Sequence, residues 1–275
     1  MSTPETKPTR DPAVAGMFYP GDRDQLLSEV DACLALATSP AKKVRAAISP
    51  HAGYIYSGKV AGETLGQIVV PKRVVLLGPK HHPSGKQAAV YASGTWNLPC
   101  GQVQIDEELA AALIEETELV ADNVAHRDEH SLEVQVPFLW RSNPSLKIVP
   151  VLLGYLPLAA LKAIGEGIAR AITRVDRDNT LLVVSTDMSH HIPAAQAKKL
   201  DFLAIDKILA LDAPGLYETV RNNAISMCGV IPTTTALFAA LELGVQEARL
   251  VRYAHSGDVN GNYSQVVGYA GLLMG

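Results

Sequence analysis

The chain has 275 residues, 48% hydrophobic and 19% charged, with a formal net charge of −4, the composition of a soluble globular domain that needs no disulfide staples. Scattered Lys and Arg and an aromatic content of 5% argue against a nucleic-acid binder. No apolar run reaches membrane-spanning length, Met1–Arg10 is too polar for a signal peptide, and three distant cysteines suit a reducing compartment, so the expected location is the cytoplasm.

Residues 1–12 read as a loose arm. Asp22–Ala37 has Leu26, Leu27, Val30 and Leu34 near helical spacing. Val44–Ser49 is an apolar strand, and Lys59–Ile68 a helix that ends before Pro71. Arg73–Leu77 is too apolar to be half exposed and is expected at the centre of a sheet. Gln87–Tyr91 is a further strand and Trp96–Cys100 a loop. Asp106–Glu116 is a helix with acidic residues in its first turn, where the macrodipole favours them. Asp128–Arg141 reads as one helix, with Leu132, Val136 and Leu139 on one face and an adjustment demanded by Pro137. Lys147–Leu153 (strand), Leu158–Thr173 (helix), Thr180–Ser185 (strand), Ala194–Leu211, Pro214–Asn222 and Pro232–Leu243 (helices) follow. Ala248–Ala254 and Gln265–Leu273 close the chain as strands. This alternation predicts a single α/β domain over residues 1–275, with a central, largely parallel sheet flanked by helices.

Five of the eight histidines sit in three short clusters, each directly after a predicted strand. They are Pro50-His51-Ala52-Gly53-Tyr54, Gly78-Pro79-Lys80-His81-His82 and Thr186-Asp187-Met188-Ser189-His190-His191. Open parallel sheets bind ligands beyond the carboxyl ends of their strands. Imidazole is the commonest metal ligand and titrates near neutrality. A single such histidine is more often a satisfied structural residue, but three clusters at equivalent strand ends point to one shared site. Neighbouring residues point in different directions, so each His-His pair is expected to send one imidazole inward; the sequence does not choose which.

Asp187 could bind metal, orient an imidazole or cap the turn beyond its strand. Cys228 precedes the Pro232 helix, where a helix start favours thiolate; the alternative is a small buried hydrophobe. Cys33 and Cys100 take that second reading. Asp128-Glu129-His130-Ser131 offers a general acid or base in Glu129 or His130, or simply a solvated acidic turn.

In this order, these clusters, Asp128-Glu129-His130-Ser131-Leu132-Glu133, Cys228-Gly229 and Tyr253-Ala254-His255-Ser256-Gly257-Asp258-Val259 resemble the Memo family, of the "AmmeMemoRadiSam system protein B" type. The resemblance spans nearly the whole chain. It implies a fold related to class III extradiol dioxygenases, which use non-haem Fe(II). Carried over residue by residue, it implies metal positions at His51, His81 and Cys228, with Asp187 and His190 lining the same pocket as catalytic residues. His190 would move a proton and Asp187 would orient it. The dioxygenases complete their metal set with a carboxylate; Cys228 at that position makes the site softer and admits copper as well as iron. Metal-dependent, dioxygenase-like oxidoreduction of a small-molecule substrate is the function implied. The alternative is a catalytically degenerate fold that binds a metal, a peptide or a partner, including radical SAM and AMMECR-type proteins. No nucleic acid or membrane partner is expected.

Overall fold

The computed structural model describes residues 7–275. In chain order the elements are β1 (Thr9–Arg10), α1 (Arg23–Leu34), β2 (Ala46–Ser49), α2 (Tyr54–Leu65), β3 (Arg73–Pro79), β4 (Ala88–Val90), β5 (Thr95–Leu98), β6 (Gly101–Ile105), α3 (Glu107–Glu116), β7 (Val120–Ala121) and α4 (Val136–Ser142). Then come β8 (Lys147–Leu153), α5 (Leu158–Asp176), β9 (Thr180–Ser185), β10 (His190–Ile192), α6 (Ala194–Leu209), α7 (Ala213–Asn222), α8 (Val230–Glu242), β11 (Ala248–His255), α9 (Gly257–Asn260) and β12 (Val266–Met274).

One mixed sheet runs in the order β1-β5-β6-β8-β3-β9-β2-β12-β10. Its centre, β8-β3-β9-β2, is parallel. Its margins are mixed: β12 pairs antiparallel with β2, β10 and β11, β5 with β6, and β4 with β8, while β1–β5, β6–β8 and β4–β7 are parallel. The central strands are covered on both faces, so they read as unbroken apolar runs. Successive residues still point to opposite faces. Val75, Leu77, Leu182 and Val184 join one core layer with α3 and α5–α8. Val74, Leu76, Leu181 and Val183 join the other, with α1, α2 and α4. Each fully buried Leu, Ile or Val contributes about 1.5–3 kcal/mol. Three helices start on an aspartate cap: Asp22, Asp106 and Asp212 accept backbone N–H groups of the first turn. Among the described residues no helix is long and apolar enough to cross a membrane.

Four local expectations change. The arm is tied down from Thr9 onward, because β1 pairs with β5 and Arg10 is buried in an ion pair; residues 1–6 lie outside the described residues. Trp96–Cys100 is not a loop but half of the β5-β6 hairpin. Trp96, Leu98, Val103 and Ile105 alternate inward across it, a period-2 pattern that Pro99 and Gly101 obscure in the sequence. α2 starts five residues earlier than expected, straight after Gly53, so its first turn abuts the His51 loop. Asp128–Arg141 is not one helix. Pro137 cannot donate, and its ring would crowd the carbonyl four residues back. The chain instead runs as an irregular loop through Glu129 and His130, makes a 3₁₀ turn at Glu133–Gln135, and begins α4 with proline in its first turn.

Candidate metal centre

The parallel strands β2, β3 and β9 end side by side, and the loops after them meet over one edge of the sheet. His51 follows β2, His81 follows β3, and the loop freed by Pro137 brings in His130. One ligand nitrogen from each lies within 4.8 Å of the others. The His81 and His130 rings stack at 4.7 Å, and His51 meets both edge-on at 5.3 and 5.4 Å. Phe18 packs against His130 in a tilted contact, ring centroids 4.8 Å apart.

The partners of His51 and His81 fix which ring nitrogen donates. Ser185 Oγ donates its single proton to Ser131 O at 2.5 Å and accepts from Gln135 Nε2 at 2.9 Å. His51 Nδ1, 2.9 Å from the same oxygen, is therefore the donor and leaves Nε2 as a bare lone pair. His81 Nδ1 stands 2.9 Å from Glu129 Oε1, which can only accept as a carboxylate, so His81 Nδ1 is the donor. Glu129 also accepts the backbone N–H groups of His81 and Ser131 and lies 3.4 Å from His130 Nδ1. A buried carboxylate behind ligating imidazoles orients them and raises their basicity.

Electrostatics keeps these groups in the forms a cation needs. Burial, reinforced by the neighbouring His130 and His81, holds His51 well below the usual imidazole range. Burial pushes His130 down to about 4 against the pull of Glu129. Burial alone would raise the Glu129 carboxyl. The hydrogen bond and charge of His81, with the backbone donors, overcome it and hold Glu129 well below the carboxylate range.

Cys228 Sγ lies 3.3 Å from His51 Nε2. Its loop is pinned to β9 at Gly229, whose N–H donates to Thr186 Oγ1 at 2.9 Å. A Cβ on Gly229 would sit 2.3 Å from Thr186 Cβ and 2.9 Å from Ser185 O, so only glycine fits this approach. The thiol is not the helix-activated thiolate expected. Burial and the facing Asp187 push it up to about 12, although α8 starts at Val230, two residues nearer than expected.

Asp187 and His190 line the region but do not pair as expected. Asp187 Oδ1 accepts the His51 backbone N–H at 2.8 Å, and burial pushes its carboxyl up to about 7 against that hydrogen bond. His190 is oriented by Ser226, whose carbonyl takes the Nδ1 proton at 2.9 Å and whose hydroxyl accepts the backbone N–H at 2.7 Å. His82 and His191 are exposed and stand outside the imidazole cluster. The sequence did not single out Ser185, Gln135 or Ser226, which carry no chemical signature of their own.

A family model described as "Memo-like protein" matches residues 10–273. The chain belongs to the Memo family. A MEMO1 family protein of Methanopyrus kandleri is 40% identical over 278 residues, covering 96% of this chain and 98% of that one. Relatives bearing the same family name from Aquifex aeolicus and Archaeoglobus fulgidus are each 40% identical with the same coverage. A solved structure of an uncharacterised protein from Escherichia coli K12 shares the Memo-family chain's fold. Its TM-score is 0.54 at 14% identity, covering 82% of this chain and 99% of that one.

Proposed function

We propose that His51, His81 and His130, with Cys228 beside them, hold a redox-active divalent metal, iron or copper, and that the site carries out oxidoreduction of a small molecule. The supporting observation is the convergence of three imidazoles, two of them oriented through Nδ1 by Ser185 and Glu129. The donor set fits such an ion: imidazole and thiol suit iron and copper better than calcium or magnesium. When bound, the ion would supply Lewis acidity and one-electron chemistry toward dioxygen or an organic substrate. His190, its Nδ1 proton committed to Ser226, has Nε2 free to take a proton from substrate. Burial holds it below the usual imidazole range and so neutral at pH 7. Asp187 braces the His51 backbone. Partnership with radical SAM and AMMECR-type proteins is proposed on resemblance alone, as is the cytoplasmic location.

The test is oxygen uptake by iron- and copper-loaded protein over a panel of catechols and related small aromatics. Uptake that depends on substrate and falls at least about tenfold in His190→Gln supports the reading. A fully loaded protein that consumes no oxygen with any of them contradicts oxidoreduction and favours a binding role for the site.

A further inference from the structure

A cavity of about 460 Å³ opens beside Cys228. Its volume falls within the ordinary range for small-ligand pockets, roughly 300–1,000 Å³. Val220, Ile225, Met227 and Ile231 give it apolar walls, and Tyr155 and Tyr217 add two rings. Its charged lining residues are Lys80 and Arg221; no carboxylate lines it. Among the described residues neither cation makes an ion pair.

Both cations are nonetheless held in place. Arg221 donates to Tyr217 Oη at 2.7 Å, and its guanidinium lies 5.1 Å from the Tyr217 ring centroid and 5.9 Å from that of Tyr155. Lys80 Nζ donates to His82 O. Arg221 spends one of its five N–H donors on Tyr217 and keeps a planar fork for an acceptor. An apolar, partly aromatic cavity with two unpaired cations and no acid is complementary to an apolar anion.

We propose that this cavity is the substrate pocket of the metal site, an inference that rests on the reading above, and that it takes a small aryl carboxylate. The ring packs among Ile225, Met227 and Ile231 toward Cys228, and the carboxylate meets Arg221 and Lys80. Arg221 is then a specificity residue. A merely structural arginine stacked on two tyrosines would not distinguish an acid from its amide.

The probe is 3-phenylpropanoate, titrated calorimetrically against metal-loaded and metal-free protein beside its neutral isostere 3-phenylpropanamide. Metal content and thermal midpoint are recorded on the same samples. The acid should bind at least about tenfold more tightly than the amide, the order expected for a charge-assisted bidentate contact. Arg221→Gln should remove that preference while leaving the amide's affinity and the metal content unchanged. Lys80→Gln should weaken the acid by a smaller factor. Equal affinities for acid and amide, an unchanged preference in Arg221→Gln, or no binding of either probe would overturn the proposal. Acid binding seen only in metal-loaded protein and indifferent to Arg221→Gln would mean direct chelation; it would also overturn the proposal while leaving the metal site standing. Arg221-dependent binding in a protein that takes up no metal would support the pocket and count against the metal reading alone.

Discussion

Glu133 lies directly behind the metal-site loop and is fully buried, and the chemistry around it sets a large stability cost for one isosteric change. Its carboxylate forms a 2.7 Å ion pair with Arg10, whose side chain is 3% exposed. It also accepts the Ala13 and Val14 backbone N–H groups and the Tyr19 hydroxyl, at 2.8, 3.0 and 2.6 Å. Arg10 in turn donates to His126 O and Glu129 O, each at 2.7 Å, and stacks on Trp96 at 4.3 Å. The N-terminal segment is thereby clamped onto the run from His126 to Glu133 that presents Glu129 and His130. Glu133→Gln keeps the shape, removes the counter-charge, and places an amide N–H₂ against donors. Breaking a buried pair by removing one partner costs about 3–5 kcal/mol, because the surviving charge stays buried without compensation. Against a total stability of roughly 5–15 kcal/mol, that is a large fraction, and it should lower Tm by about 10 °C. Urea unfolding at pH 7.5, followed by circular dichroism, measures it. Arg10→Met in the same background should cost less than the sum of the single changes, since the double variant no longer buries an unpaired guanidinium. A Glu133→Gln midpoint within about 1 kcal/mol of wild type would refute this, since it would make the pair no stronger than a typical surface ion pair.

His126 is buried between Tyr91 and Trp96, and burial pushes it down to about 3. An unfolded histidine titrates near 6.5, so the unfolded chain binds this proton first; stability is full above about 6.5 and is lost as pH falls toward 3. His126→Phe should therefore flatten the acid limb by about 1.4 kcal/mol per pH unit between pH 6.5 and 4 in urea titrations; parallel limbs would contradict the assignment. Glu129→Gln removes the negative charge and one of the two oxygens that accept from His81 and should weaken metal binding roughly 10–100-fold, checked by competition with a chelator; unchanged affinity would make Glu129 a bystander. Gly229→Ala must move Thr186 or the Cys228 loop, at an expected cost of about 1–3 kcal/mol and with faster alkylation of Cys228; a variant indistinguishable from wild type in both would show that the approach tolerates a methyl group. In metal-free wild type, Cys228 should react with iodoacetamide at pH 8 at least a hundredfold more slowly than free cysteine, in line with its raised pKa, and labelling as fast as glutathione would argue against a buried neutral thiol.

The strand ends were legible because burial on both faces leaves an unmistakable apolar run. Arg73 to Leu77 and Thr180 to Ser185 stand where they were expected, and they deliver His81, Asp187 and His190 to one edge. His51 was legible for the same reason, and the structure selects His81 over His82. The role of His130 was not legible. Its position depends on where Pro137 breaks a pattern that otherwise reads as continuous helix, and nothing in the spacing shows its stacked partner His81. The orientation of the imidazoles was equally hidden. Ser185, Gln135 and Ser226 fix them through hydrogen bonds that depend on how three separate loops meet. Asp187 was read as the partner of His190 because it lies three residues away, but the backbone of the neighbouring His51 loop takes its carboxylate instead. Cys228 was found by motif, while its protonation follows from burial, which only the fold reveals.

Metal content decides the central claim most directly. Anaerobically purified protein, supplied with Fe(II) or Cu(II) and desalted, should carry close to one equivalent by mass spectrometry. His51→Ala, which removes the cluster nitrogen 3.3 Å from Cys228, should lose it, with Cys228→Ser and His130→Phe intermediate. Wild type that takes up neither metal, or a His51→Ala variant that keeps full stoichiometry, would contradict the account.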